Sequence, residues 1–192
     1  MDQQQLQTLR QMHVRQRIRP IVNQYEVRAV GPDGSSGPLL AFAQQKRLAF
    51  RERVTFYADD QRQQCVLGFN ARQVVDLGAT YDVTDAAGHP IGLFRKDFTR
   101  SLLRSTWHLE QPGLGVATGA ERNMVVAVLR RIGDLPPWLP YHFDFTIDGQ
   151  PAFSVVRKWS LRDNYQVDIH HPQLDRRLVI AMAVALDTLQ SR

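Results

Sequence analysis

The sequence predicts a mainly β protein of the α+β class: a closed antiparallel β-barrel threaded by a buried C-terminal α-helix, with one further helix at its periphery. Three observations predict this fold. A wholly apolar run lies near the C-terminus, the chain before it is a series of short alternating segments joined by turn residues, and two of the resulting hairpins share one sequence pattern. A chain of 192 residues suits a single domain of this kind, over residues 12–192.

The apolar run spans residues 178–186 and is closed by Asp187. Its leucine, methionine and alanine residues are strong helix formers, and they leave no polar stripe to face water. A helix that crosses a bilayer needs about 20 apolar residues, so this run is too short to span a membrane. We therefore expect a helix that the rest of the chain surrounds. The residues predicted to form this axle are Leu178, Val179, Ile180, Met182, Val184 and Leu186.

Segments in which apolar and polar residues alternate predict the strands of the barrel. Residues 13–19 form the first strand, and residues 101–109 and 164–169 form two more single strands. Four hairpins with Asp, Gly or Pro in their turns are also predicted. They pair 24–30 with 39–46, 53–57 with 64–71, 80–84 with 90–96, and 141–147 with 152–158.

Two other segments are predicted to lie outside the sheet. Residues 124–131 form the peripheral helix, because Glu121 precedes an apolar run that ends before Gly133. Residues 1–11 are rich in glutamine and form a flexible or helical lead-in to the barrel.

The third and fourth hairpins share a pattern that indicates an internal repeat. The segment 81–84, Tyr-Asp-Val-Thr, aligns with 143–146, Phe-Asp-Phe-Thr, and without a gap Arg95-Lys96 then aligns with Arg157-Lys158. A repeated hairpin predicts a quasi-symmetric sheet. Closing that sheet around the apolar helix would remove the exposed strand edges that invite aggregation.

Charge and cysteine content narrow the partners and the compartment. The net charge of +5 and the pI near 9.8 favour anionic partners. Cys65 is the only cysteine, so the chain forms no internal disulfide, and we expect Cys65 to be a buried structural thiol. No N-terminal run has the pattern of a signal peptide. We expect a cytoplasmic protein. Peripheral attachment to the inner face of a membrane would be compatible with this location.

The candidate binding residues are basic and lie around the repeated hairpins. Arg and Lys hold phosphate oxygens through charge-assisted hydrogen bonds, and several of them at one end of a barrel would suit an anionic headgroup. The simpler alternative is a set of solvated strand ends, because adjacent residues of a strand point to opposite faces. The candidates are Lys46, Arg47, Arg95, Lys96, Arg100, Arg104, Arg157 and Lys158.

No catalytic residue, cofactor or metal site is predicted. The sequence has no nucleophile elbow and no glycine loop that would cradle a phosphate ahead of a helix. His170 and His171 are chain neighbours whose side chains diverge, and nothing nearby completes a tetrahedral site. The sequence therefore favours a non-enzymatic role, although it leaves an enzyme open.

Several of these segments, in their order, resemble the tubby C-terminal-like superfold, which tubby proteins, phospholipid scramblases and LURP-one-related proteins share. The resemblance rests on residues 15–17 ahead of Tyr25-Glu26-Val27, on residues 81–85 with Gly88, on the strand through Trp107, and on the terminal apolar helix. It is greatest to the LURP-one-related proteins. This resemblance implies a closed antiparallel barrel of about twelve strands.

The resemblance leaves more than one function open. The first is binding of an anionic phospholipid, with a phosphoinositide-like headgroup, or of another phosphorylated ligand. The alternatives are a protein-interaction scaffold, and a scramblase-like membrane-associated protein without calcium control. Residues 164–171 hold too few carboxylates for the calcium segment of scramblases. Nucleic acid stays possible on charge alone.

Overall fold

A closed antiparallel barrel of twelve strands forms the body of the protein. The computed structural model of the chain describes residues 3–17, 22–46, 53–72, 80–97, 105–122, 142–158 and 164–190. Each strand pairs with the next one along the chain, and the first strand pairs with the last, which closes the sheet. The strands are β1 (Gln11–Arg17), β2 (Val22–Val30), β3 (Ser36–Lys46), β4 (Arg53–Tyr57), β5 (Cys65–Ala71), β6 (Thr80–Asp85), β7 (Pro90–Lys96), β8 (Thr106–Gln111), β9 (Gly115–Glu121), β10 (His142–Ile147), β11 (Gln150–Lys158) and β12 (Asn164–Ile169).

Helix α2 (Arg176–Gln190) fills the barrel, and the short helix α1 (Gln3–Thr8) lies beside its first turn. Every residue from Leu178 to Leu186 is buried, against inward-facing aromatic and aliphatic side chains of the strands. The predicted barrel with its threaded C-terminal helix is therefore confirmed. None of the helices in the described part of the chain combines the length and hydropathy of a membrane span.

Strand β9 is missing from the sequence prediction. Glu121, which the sequence analysis placed ahead of the peripheral helix, is the last residue of this strand. The predicted peripheral helix at 124–131 lies outside the described residues. Glycine and alanine occupy four of the seven positions of β9, which leaves little of the β-branched and aromatic signal that marks a strand. Packing explains the glycine at position 119, because the Phe145 ring occupies the space that a side chain would need.

The barrel has two distinct ends, which we name by the direction of α2. At the upper end α2 begins, and the turns 31–35, 58–64, 86–89, 112–114 and 148–149 connect the strands. At the lower end α2 finishes, and Asp187 accepts hydrogen bonds from the hydroxyls of Tyr25 and Tyr165, which lie near the starts of β2 and β12. The lower end is also where β3, β7 and β11 finish.

The twelve strands divide into three units of four, β1–β4, β5–β8 and β9–β12, which repeat one arrangement. In each unit an arginine, either the last residue of the first strand or the residue after it, forms an ion pair with an acidic residue of the second strand. An inward-facing aromatic residue precedes that acid. The pairs are Arg17–Glu26 after Tyr25, Arg72–Asp82 after Tyr81, and Arg122–Asp144 after Phe143. The internal repeat is therefore threefold and covers the whole barrel.

The gap-free alignment of the two repeated hairpins is wrong by one residue. Tyr81 pairs with Phe94, whereas its counterpart Phe143 pairs with Val155. The cause is turn length, since the loop from Thr84 to its partner Pro90 has one residue more than the loop from Thr146 to its partner Pro151. The structural counterpart of Arg157 is therefore Lys96, and Arg95 faces the other way.

Cys65 is exposed, so the prediction of a buried thiol was wrong. Its position has the same parity along β5 as the buried Leu67 and Phe69. Cys65 is, however, the first residue of the strand, at the upper rim of the barrel, where the inner face opens toward solvent. Alternation predicted the face correctly but could not show where the core ends.

Candidate functional site

The three predicted lysines that the structure describes do not lie together in one patch. Lys46, Lys96 and Lys158 end strands β3, β7 and β11, which are spaced four positions apart around the closed sheet. These three lysines thus lie at three separate places on the lower rim. Arg47, Arg100 and Arg104 lie outside the described residues.

Two of the cations face the interior of the barrel. Lys96 pairs with Trp107 across the strands, and its Nζ lies 5.7 Å from the centroid of the indole ring. Arg157 pairs with the buried Tyr165. The carboxylates of Glu121 and Asp187 also lie inside this end, so it holds two acidic groups as well as the two basic ones. The described interior therefore does not form a strongly positive site.

Arg95 and Lys158 face outward and are exposed, but their surroundings differ. Arg95 is flanked by Thr80 and His108 on the neighbouring strands. Lys158 pairs with Asn164, which in turn pairs with Arg15 of β1. Since neighbouring strands are about 4.8 Å apart, Lys158 and Arg15 stand roughly 10 Å apart across β12. Their long side chains can reach one phosphate group between them.

Neither Lys158 nor Arg15 forms an ion pair with a carboxylate in the described part of the chain. Glu26 of β2 is the residue that pairs with Arg15, but its carboxylate already accepts hydrogen bonds from two other arginines. Arg28 Nε donates a hydrogen bond to one carboxylate oxygen of Glu26 at 2.8 Å, and Arg17 Nε donates to the other oxygen. Burial acts to raise the pKa of Glu26, but these hydrogen bonds outweigh it and hold the pKa below its usual value. Glu26 is thus ionised and fully engaged.

We call this surface the basic face and define it as Arg15, Arg17, Arg28 and Lys158. His13 lies at the edge of the basic face, and the charges of that face affect its pKa. Burial lowers the pKa of His13 first, and the charge of Lys158 lowers it further, against the opposing effect of Asp168. The imidazole is therefore neutral at pH 7, and a positive field reaches it from Lys158.

Sequence reasoning found Lys158 but missed its partner. Arg15 belongs to the alternating run 13–19 that predicted the first strand, and β1 shows that alternation over its described residues. The pairing of Arg15 with Asn164 depends on the closure of the barrel between its first and last strands. Only a prediction of that closure and of its register could have joined the two cations.

Comparison with protein families gives a match over most of the chain. A family model described as LURP-one-related covers residues 40–187, which run from within β3 to the last turns of α2. The chain belongs to the LURP-one-related family. The family resemblance seen in the sequence is thereby confirmed. A comparison with curated proteins finds no match.

In this LURP-one-related protein the family match covers only part of the basic face. Lys158 lies within the matched residues, whereas Arg15, Arg17 and Arg28 precede them. The basic face is therefore an observation on this chain, and it rests on the pairing of β1 with β12.

Proposed function

We propose that this barrel is a non-enzymatic domain that binds anionic phospholipid headgroups, or soluble ligands with the same phosphate chemistry, through its basic face. The observation that carries the proposal is the pair of exposed cations, Lys158 and Arg15, that flank Asn164 with no carboxylate partner among the described residues. Arg can hold a phosphate through two parallel hydrogen bonds, and Lys adds a compact charge. The protein would then associate peripherally with a membrane surface.

Sedimentation with vesicles tests the proposal. We expect no binding to vesicles of phosphatidylcholine alone, and binding once part of that lipid is replaced by phosphatidylserine or a phosphoinositide. Added salt should weaken the binding, because exposed charges are screened. Competition by inositol hexakisphosphate would show that the face accepts a free phosphorylated ligand as well. Absence of binding to every anionic composition at low salt would contradict the proposal.

A pair of charge-matched double variants locates the site. Arg15→Gln with Lys158→Gln removes two charges from the basic face, and Arg53→Gln with Arg95→Gln removes two exposed charges elsewhere on the barrel. Each basic residue near an anionic surface contributes about 1 kcal/mol, so we expect the first double variant to bind roughly 30-fold more weakly. The second should bind nearly as the unmodified protein does. Equal losses would show that only net charge matters and that the basic face is not the site.

A further inference from the structure

A cavity of about 260 Å³ opens at the upper end of the barrel, away from the basic face. It lies between α1, strands β3 and β5, and the first turns of α2. Its wall is mostly aliphatic, with Leu6 from α1, Leu40 and Leu67 from the strands, and Ile180 from α2. Three alanines, Ala41, Ala58 and Ala86, contribute small side chains where larger ones would fill the space.

Helix α2 makes one close contact with the wall of the barrel, at strand β7. Gly92 of β7 lets the helix approach closely, since a Cβ there would lie 2.9 Å from both Cδ atoms of Leu178. Residues two apart on a helix point about 200° away from each other. Ile180 therefore faces away from the tight contact at Gly92, toward the side where the space remains.

Helix α1 covers this space and is held in place by hydrogen bonds to the start of α2. The side-chain amide of Gln7 donates to Asp175 at 2.8 Å, and its oxygen accepts the backbone N–H of Arg176 at 3.1 Å. Leu6, one residue earlier, is buried and turned into the cavity wall. The N-terminal segment thus completes the cavity.

One polar group of the wall is positioned to orient a ligand. The guanidinium of Arg177 donates from Nε and Nη2 to the carboxylate of Asp175, at distances of 2.6 to 3.1 Å. No described residue accepts a hydrogen bond from its Nη1. Because Asp175 neutralises Arg177, and Asp85 adds a further negative field, a carboxylate or phosphate would be poorly held there. A neutral oxygen acceptor would bind to the remaining N–H groups.

We propose that this cavity binds a small neutral amphipathic molecule, with an aliphatic body in the cavity and one oxygen acceptor toward Arg177. Since a cavity of about 150 Å³ holds benzene, with its six non-hydrogen atoms, a volume of about 260 Å³ suits roughly nine or ten such atoms. Ketones, alcohols and esters of medium chain length fit this description. The site is independent of the basic face, so either proposal can fail without the other.

Cys65 is a built-in reporter for occupancy. It is the only cysteine of the chain, it is exposed, and it lines the cavity. The probe is the methyl ketone octan-2-one, which has nine non-hydrogen atoms, and octanoate is its anionic counterpart. The rate of Cys65 alkylation by iodoacetamide is followed by intact mass. Octan-2-one should slow alkylation saturably and several-fold, and octanoate at the same concentration should not.

Two neighbouring alanines give a matched pair of variants. Ala86 lines the cavity, and Ala87 follows it in the same turn, is also exposed, and does not line the cavity. Ala86→Leu should abolish protection by octan-2-one, and Ala87→Leu should retain it. Arg177→Met should weaken protection about tenfold, since a hydrogen bond to a charged group is lost.

Three results would overturn the assignment. One is an alkylation rate that octan-2-one leaves unchanged in the unmodified protein. Another is equal protection in the Ala86→Leu and Ala87→Leu variants, which would place the ketone outside the cavity. Equal protection by octanoate would show that the ligand class is wrong.

Discussion

Asp187 is the only acidic residue of α2, and its carboxylate lies inside the barrel between two tyrosine side chains. The hydroxyl of Tyr25 donates to it at 2.6 Å, and the hydroxyl of Tyr165 donates to its other oxygen. Gln16 reaches the Tyr25 hydroxyl from β1 at 3.5 Å. Since both tyrosine rings are buried, this cluster fixes the position of the helix along the barrel.

We predict that Asp187→Leu lowers the free energy of unfolding by about 2–4 kcal/mol, because two buried hydroxyls lose an acceptor. Replacing both hydroxyls as well, with Tyr25→Phe and Tyr165→Phe, should recover most of that loss, since the two buried hydroxyls are then removed together with their acceptor. Urea unfolding of the single and the triple variant measures the difference. A triple variant less stable than Asp187→Leu would show that the tyrosine hydroxyls do not depend on Asp187.

Gly119 gives a second prediction for a single residue. A Cβ at this position would overlap the ring of Phe145, which stacks on Phe153 with 4.1 Å between the ring centroids. We expect Gly119→Ala to cost about 1–3 kcal/mol through overpacking. Adding Phe145→Leu, which vacates the space, should make the alanine less costly than it is alone. Thermal unfolding of the two single variants and the double variant tests this coupling.

Helix α2 is fixed at its start by two adjacent arginines with different roles. Arg176 is only 4 % exposed, and its guanidinium donates to the backbone carbonyls of Leu9, Pro172 and Leu174 at 2.7 to 3.0 Å. It thereby ties the segment after α1 to the turn before α2. Arg177 instead pairs with Asp175, whose carboxylate also accepts the backbone N–H of Arg177 and so caps the helix.

We predict that Arg176→Lys lowers the free energy of unfolding by about 2–4 kcal/mol. An ammonium group cannot reach carbonyls on both sides as the guanidinium fork does, and hydrogen bonds to charged groups each contribute about 1.5–3 kcal/mol. The neighbouring Arg177→Lys should cost about 1 kcal/mol or less, because it retains a charge beside Asp175. Urea unfolding of both variants is the measurement, and equal costs would contradict the assigned role of Arg176.

At the scale of the whole molecule, periodicity was enough to predict the axle and eleven of the twelve strands. The axle followed from an apolar run with no polar stripe, and its burial is observed from Leu178 to Leu186. Strand β9 was not predictable, because its small residues make room for Phe145 and carry little strand signal. In the sequence, the need to make room for Phe145 is visible only as a lack of large side chains in β9.

The candidate site was less predictable than the fold, because it depends on relations between distant parts of the chain. The alignment of Arg95 with Arg157 ignored a difference of one residue in the turns, and a shift of one residue moves a side chain to the opposite face. The closeness of Arg15 to Lys158 depends on barrel closure. Both are properties of register, which hydrophobic patterning does not specify.

The pH dependence of stability is also a property of the whole molecule, because shifts on separate strands act in the same direction. Burial lowers the pKa of His142, and the charge of Arg122 lowers it further, although Asp144 acts in the opposite direction. The pKa of His13, at the edge of the basic face, is also lowered. Asp175 is desolvated by burial, yet hydrogen bonds from Arg177 and Gln7 hold its pKa below the usual value, as is also true of Glu26. A pKa that folding lowers means that the unfolded chain binds more protons, so acid favours unfolding.

We therefore predict that the free energy of unfolding falls in two stages as the pH is lowered from 7. The histidines act first, below about pH 6.5, and the carboxylates act below about pH 4. His13→Gln with His142→Gln should flatten the first stage and leave the second. Urea unfolding at a series of pH values measures this profile. Stability that rises between pH 7 and pH 5 would contradict the sign, because it would require the folded protein to bind protons more tightly than the unfolded chain.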